Sequence, residues 1–172
     1  HWSGGEPLLA FETILQGVNY AKRLSKKVGK EVKFLLQTNA TLLTREKARV
    51  LNKLGVEIGI SIDGPPGLDL ARVFPDGRPA SAETLQGLEN ALHEKCQFGV
   101  IVTLTSLSIG HVERILDYLA NLTISEIKIN PCQRLGRATK HSEYCVSPSD
   151  FLRAKIRAVS YTHLRAHETV LD

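Results

Sequence analysis

The sequence predicts an α/β fold in which parallel strands alternate with helices, as in part of a parallel (β/α) barrel. Three observations carry this. The hydrophobic period switches repeatedly between 3.6 and 2. The connectors between strand-like runs are long enough for right-handed crossovers, which make the strands parallel. The strand ends turn small and polar: Gln37 and Asn39, Ser61 and Asp63, Thr103 and Thr105, Asn130. A barrel whose strand ends open onto a ligand needs that arrangement. An open doubly wound sheet with a crevice at the same ends is the alternative.

The elements follow in order. Leu8, Phe11, Leu15 and Val18, extended by Ile14 and Ala21, recur at helical spacing, and Gly29 is placed to stop that helix. Val32, Phe34 and Leu36 alternate as a strand does. Thr44 can cap a helix carrying Ala48, Leu51 and Leu54, closed by Gly55. Val56, Ile58, Ile60 and Ile62 form a period-two strand whose other face is Glu57, Gly59, Ser61 and Asp63. A loop rich in Gly and Pro runs from Gly64 to Pro79, and Ser81 starts a helix with Leu85, Leu88 and Leu92. Phe98, Val100, Val102 and Leu104 make the next strand. Val112, Ile115, Leu116 and Leu119 make the next helix, and Ile124, Ile127 and Ile129 a last short strand before Pro131.

Composition bounds the function. The 172 residues are 42% hydrophobic and 23% charged, which excludes disordered and fibrous classes. No run of about 18 apolar residues exists, so no membrane partner is expected. Aromatics at 6% and a net charge of +4 argue against a nucleic-acid partner. Cys96, Cys132 and Cys145 form no C-x-x-C pair, which points to a reducing cytoplasm rather than a disulfide framework. The C-x12-C spacing of Cys132 and Cys145 is too loose for a zinc site, and a structural or stray role is expected for both. The basic run from Lys22 to Lys33 reads as a solvated helix face. The chain contains no Met and opens at His1 inside the pattern, so it reads as a piece open at its N-terminus.

The chemistry-bearing segments lie at the predicted strand ends. Ser3-Gly4-Gly5-Glu6-Pro7 precedes the first helix. Paired glycines let a ligand approach the backbone, Pro7 suits a first helical turn, and Glu6 offers a carboxylate to a ligand ammonium. Gln37-Thr38-Asn39 ends one strand and Ser61-Ile62-Asp63-Gly64-Pro65 the next. Asp69 and Arg72 follow in the loop, and Ile129-Asn130-Pro131-Cys132 closes the last strand.

In this order and spacing these segments resemble the radical S-adenosylmethionine enzymes. More narrowly they resemble the branch of anaerobic sulfatase-maturating enzymes and ribosomal-peptide maturases of the SPASM type. The resemblance covers residues 1–137 and implies a TIM-like barrel missing its first βα unit. It implies that Gly4, Gly5 and Glu6 bind the amino group of S-adenosyl-L-methionine, and that Ser61 and Arg72 hold its ribose and carboxylate. Gln37 and Asn39 would line the same mouth, and the backbone of residues 129–132 would face the adenine. A 4Fe–4S cluster is implied as well, but its C-x3-C-x2-C loop is absent and belongs upstream of His1. No catalytic residue or metal ligand is assigned within the chain.

The implied activity of the full-length protein is reductive cleavage of the cofactor to a 5′-deoxyadenosyl radical. That radical would modify a side chain of a peptide or protein, as in sulfatase or peptide maturation. A flavodoxin or ferredoxin would donate the electron. The chain alone is expected to be inactive. The alternatives are a non-catalytic truncated gene product, or a radical enzyme acting on a nucleotide or small molecule. One departure from the family is Ala40, where the family has Gly after Asn39; the position is therefore expected to need no positive φ.

The expected organisation is a partial barrel over residues 1–137, then a linker or the start of a truncated C-terminal region over 138–158, and then a non-native tail over 159–172. Val159-Ser160-Tyr161-Thr162-His163-Leu164-Arg165-Ala166-His167-Glu168-Thr169 reads, in one frame, as the translation of a transposase adapter used in sequencing libraries. On that reading His163 and His167, spaced i and i+4, have no metal role.

Overall fold

The computed structural model describes residues 1–124 and 126–168. Residues 169–172 of the expected tail, and the side chain of His167, lie outside the described residues. Four strands, β1 (Phe34–Thr38), β2 (Val56–Ser61), β3 (Phe98–Leu104) and β4 (Ile127–Pro131), form one parallel sheet in chain order. Helix α1 (Phe11–Val28) precedes β1. Helices α2 (Arg45–Lys53), α3 (Ser81–His93) and α4 (Val112–Asn121) fill the three crossovers, and α5 (Pro148–Glu168) follows. The α/β expectation therefore holds, with a helix in every strand-to-strand connection as parallel pairing requires. The chain divides into two compact units, His1–Ser61 with Val73–Val100, and Ile62–Arg72 with Ile101–Asp172.

In the first unit a 3₁₀ turn (Pro7–Ala10) leads into α1, with Pro at its start and Glu6 as its cap. Helix α1 buries Ile14 and Val18 and ends on Gly29 at φ 67°, the left-handed stop that glycine adopts without a Cβ penalty. Strands β1 and β2 pair in parallel with Leu36 opposite Ile58 and Thr38 opposite Ile60. Strand β1 starts at Phe34, two residues later than the alternation suggests, and Val32 is exposed. Trp2 lies beside β1 as an isolated parallel bridge to Leu36 and stacks on Phe34 at 6.0 Å. The side-chain hydroxyl of Thr44 caps α2 by accepting from the Lys47 N–H. Ser81 is the first residue of α3, as the pattern places it, and Ala80 before it makes no side-chain capping bond. Leu36, Ala48, Leu51, Ile58, Ile60, Leu88 and Ala91 form the core here.

In the second unit Ile62, Val102, Leu104, Val112, Ile115 and Leu119 are buried, and α5 contributes Ala154 and Ala158. Ser147 accepts from the Asp150 N–H and so opens α5. The helix runs through Val159 without a break. Arg157 pairs with Glu113, and Tyr161 donates to Asp117 at 2.7 Å, both on α4.

One expectation is corrected. Ala40 does adopt a left-handed conformation, φ 61°, although it carries a Cβ. The loop between β1 and α2 needs that turn whichever residue occupies it. The Ala40 N–H donates to Thr38 Oγ1 at 3.0 Å, and the residue is 1% exposed, so local bonding and burial offset the strain.

Candidate functional site

Within the first unit the glycine turn and the end of β1 meet through Glu6. Gly4 and Gly5 sit at φ 89° and 59°, with open space where a Cβ would stand, so a ligand can reach their backbone. Glu6 Oε1 accepts from the Leu8 N–H at 3.0 Å and the Thr38 hydroxyl at 2.7 Å. Its Oε2 accepts from the Asn39 N–H at 2.8 Å. An ionised carboxylate offers about four acceptor directions, so one remains on Oε2 after these three. The arrangement fixes a carboxylate with room for one strong donor, such as an ammonium.

Asn39 is fixed in turn. Its Oδ1 accepts from the Thr41 N–H and hydroxyl at 3.0 and 2.8 Å, and its carbonyl accepts from the Thr84 hydroxyl of α3 at 2.9 Å. Asn90, also on α3, donates to the Leu43 carbonyl at 2.9 Å. Between these two bonds Gly87 lies against Ala40, where a Cβ would stand 2.1 Å from the Ala40 carbonyl oxygen. Helix α3 thus presses one face, Thr84, Gly87 and Asn90, onto the loop that presents Asn39. Gln37 is half-buried in β1, with its N–H on the Trp2 carbonyl at 2.9 Å. The register that sets Thr38 opposite Ile60 brings Ser61 to the same strand end as Asn39. The structure therefore gathers Gly4, Gly5, Glu6, Gln37, Asn39 and Ser61 at one end of the β1–β2 pair.

Within the second unit Arg72 has a partner that the sequence did not suggest. Its Nη2 donates to Asp63 Oδ1 at 2.9 Å, its Nε lies 2.7 Å from Oδ2 without making a hydrogen bond, and Asp63 Oδ1 also accepts from the Thr103 N–H at 2.7 Å. Asp63 is 4% exposed. This ion pair, with one hydrogen bond, holds the guanidinium beside Asp63 and leaves Nη1 outside the pair. Asp69 is buried nearby in the same loop, and Tyr118 is pushed up by burial first and then by the Asp69 carboxylate. Thr38, Asp63 and Thr84 were missed as positioning groups. Thr38 and Asp63 stand inside the quoted motifs, but nothing local identifies their partners.

Among the described residues no group of three or more His, Cys, Asp or Glu is placed to hold a metal ion. The described residues therefore offer no ligand set for a cluster, whereas the Glu6 carboxylate and the open glycine backbone fit the cationic amino-acid part of a nucleoside ligand.

A family model described as the radical SAM superfamily matches residues 1–119. An uncharacterized protein of Methanocaldococcus jannaschii is 30% identical over 129 residues, covering 75% of this chain and 44% of the relative. A serine-type anaerobic sulfatase-maturating enzyme of Klebsiella aerogenes is 27% identical over 140 residues, covering 81% of this chain and 35% of the relative. The solved structure titled native anSMEcpe with bound AdoMet superposes with a TM-score of 0.82 at 20% identity, over 96% of this chain and 46% of that one. The chain thus spans less than half the length of each of these relatives.

Proposed function

This chain belongs to the radical SAM superfamily, and from that premise we propose that Gly4, Gly5, Glu6, Gln37, Asn39, Ser61 and Arg72 bind S-adenosyl-L-methionine. The observation that carries the proposal is the fixed Glu6 carboxylate, with three hydrogen bonds behind it and one acceptor direction left. Glu6 would take the ammonium, with the Gly4–Gly5 backbone as the floor of that subsite. Asn39 and Gln37 would exclude water from the mouth, Ser61 would meet the ribose, and Arg72, oriented by Asp63, would offer Nη1 to the carboxylate. When bound beside a 4Fe–4S cluster, the cofactor supplies hydrogen-abstracting power.

The whole protein is read as an enzyme that modifies a peptide or protein side chain. The name of the Klebsiella relative supports this. A flavodoxin- or ferredoxin-type protein would be the electron donor, and three free thiols favour a reducing cytoplasm as the setting. No helix among the described residues is long and apolar enough to cross a membrane.

The test uses the complete gene product, reconstituted with iron and sulfide. Losing a charge-assisted contact in a partly buried site costs about 1.5–3 kcal/mol. Glu6→Gln should therefore weaken cofactor binding, measured by equilibrium dialysis, by more than about tenfold. Unchanged binding, with the fold intact by circular dichroism, would move the site elsewhere.

A further inference from the structure

A pair of thiols stands outside the site described above. Cys132 directly follows β4, and its main chain is held on both sides. Its N–H donates to the Leu104 carbonyl at 2.8 Å, and its carbonyl accepts from the Val146 N–H at 3.2 Å. Cys145 immediately precedes Val146, so the two thiols leave hydrogen-bonded segments at adjoining positions. The Cys145 segment is itself anchored. The Ser106 N–H donates to the Tyr144 carbonyl at 3.1 Å, and the Ser106 hydroxyl to the Glu143 carbonyl at 2.6 Å. Both residues are half-buried, both thiols are free, and both border one open cavity of about 450 Å³ shared with Arg134 and Phe151.

We propose that Cys132 and Cys145 form a reversible dithiol–disulfide site, closed by low-molecular-weight disulfides and reopened by thiols. The Cys132 thiol is pushed up by burial first, then by Cys145 and by the Asp63 carboxylate. Cys145 is therefore the attacking thiol and Cys132 the resolving one. The Cys145 thiolate attacks one sulfur of oxidised glutathione, forming a mixed disulfide and releasing one glutathione thiolate. The Cys132 thiolate then attacks Cys145 Sγ, forming the protein disulfide and releasing the second. Two cysteine thiols are oxidised, one glutathione disulfide is reduced to two thiols, and the two cysteine protons pass to the departing thiolates. The bridge would close the loop of residues 132–145 and bind the end of β4 to the segment resting on Ser106.

The experiment equilibrates the 172-residue chain in glutathione buffers of graded ratio, traps free thiols by alkylation, and maps disulfides by mass spectrometry. Two thiols should disappear together, with the Cys132 peptide joined to the Cys145 peptide and full recovery under dithiothreitol. Cys96→Ala should bridge as the wild type does. In Cys132→Ser, Cys145 should hold a mixed glutathione disulfide at a level at least about tenfold above the wild type. In the wild type the neighbouring thiol, at millimolar effective concentration or more, resolves that adduct. Equal adduct levels in the two chains, or bridges forming only between chains, would overturn the proposal.

Discussion

Gly87→Ala isolates the contact that shapes the candidate site. In a helix interior this substitution ordinarily gains about 0.5–1 kcal/mol, because alanine loses less backbone entropy. Here the added Cβ would meet the Ala40 carbonyl oxygen at 2.1 Å, the Ala40 Cβ at 2.8 Å and the Ala40 carbonyl carbon at 3.0 Å. Two of these are backbone atoms of a strained turn and the third is a Cβ fixed to it, not the end of a flexible side chain. The hydrogen bonds from Thr84 to Asn39 and from Asn90 to Leu43 flank the clash on the same helix face, so α3 cannot retreat without stretching both. Overpacking of this kind costs about 1–3 kcal/mol. The net expectation is a loss of up to about 2.5 kcal/mol, read as a drop of up to about 1 M in the urea midpoint at unchanged slope. The nearest atom is a carbonyl oxygen, which Ala40→Gly leaves in place, so that change should stabilise the Gly87→Ala chain by about the same 1–2 kcal/mol that relief of the left-handed φ gives the wild type. A Gly87→Ala chain more stable than the wild type, or a much larger gain from Ala40→Gly in that chain than in the wild type, would refute the argument.

Other expectations follow from neighbouring contacts. Thr38→Val removes the donor to Glu6 and the acceptor of the Ala40 N–H from a buried position, and should cost about 1–3 kcal/mol by denaturant titration. Asp63→Ala strips the partly buried Arg72 of its counter-ion and the Thr103 N–H of its acceptor. The cost should be about 3 kcal/mol, and an undiminished midpoint would show the pair to be dispensable. Glu94 is held down at about 2, from 4.5, by hydrogen bonds from Arg49 and then Arg45. A depressed folded pKa stabilises fully above the unfolded value and is lost as pH falls through the folded one. Glu94→Gln should therefore flatten the loss of stability between pH 4.5 and about 2 in an acid titration. Burial pushes the Cys96 thiol up to about 11, so iodoacetamide at neutral pH should label it only after unfolding, as timed mass spectra would show.

Much of the fold was legible because its signals are local. The alternation of Val56, Ile58 and Ile60, the Thr44 cap and the Gly29 stop each depend on residues a few positions apart, and each is where the pattern places it. The candidate site was legible as a list of residue types but not as a set of partnerships. Glu6 meets Thr38 across 32 positions of sequence, Thr84 reaches Asn39 across 45, and Thr103 reaches Asp63 across 40. No periodicity encodes such pairings. The error at Ala40 has the same origin. Reading alanine as evidence of an ordinary φ ignores the helix pressing on the loop, which sets the turn from outside. Val32 fits the strand pattern, yet β1 begins only at Phe34.

The turn at Gly4 and Gly5 is pinned on both sides to consecutive residues of one strand and the loop it enters. Trp2 gives its N–H to Leu35 and takes that of Gln37, each at 2.9 Å, while Glu6 takes the hydroxyl of Thr38 and the N–H of Asn39. Only three residues span the gap between these anchors, so most of the loop's conformational freedom is already spent in the folded chain. A ligand settling on the two glycines would not have to order them, and little of its binding free energy would go into closing the turn. The same geometry couples the amides of Gln37 and Asn39. Each is covered by an acceptor from opposite ends of one short loop, so solvent reaches both when that loop lifts as a unit.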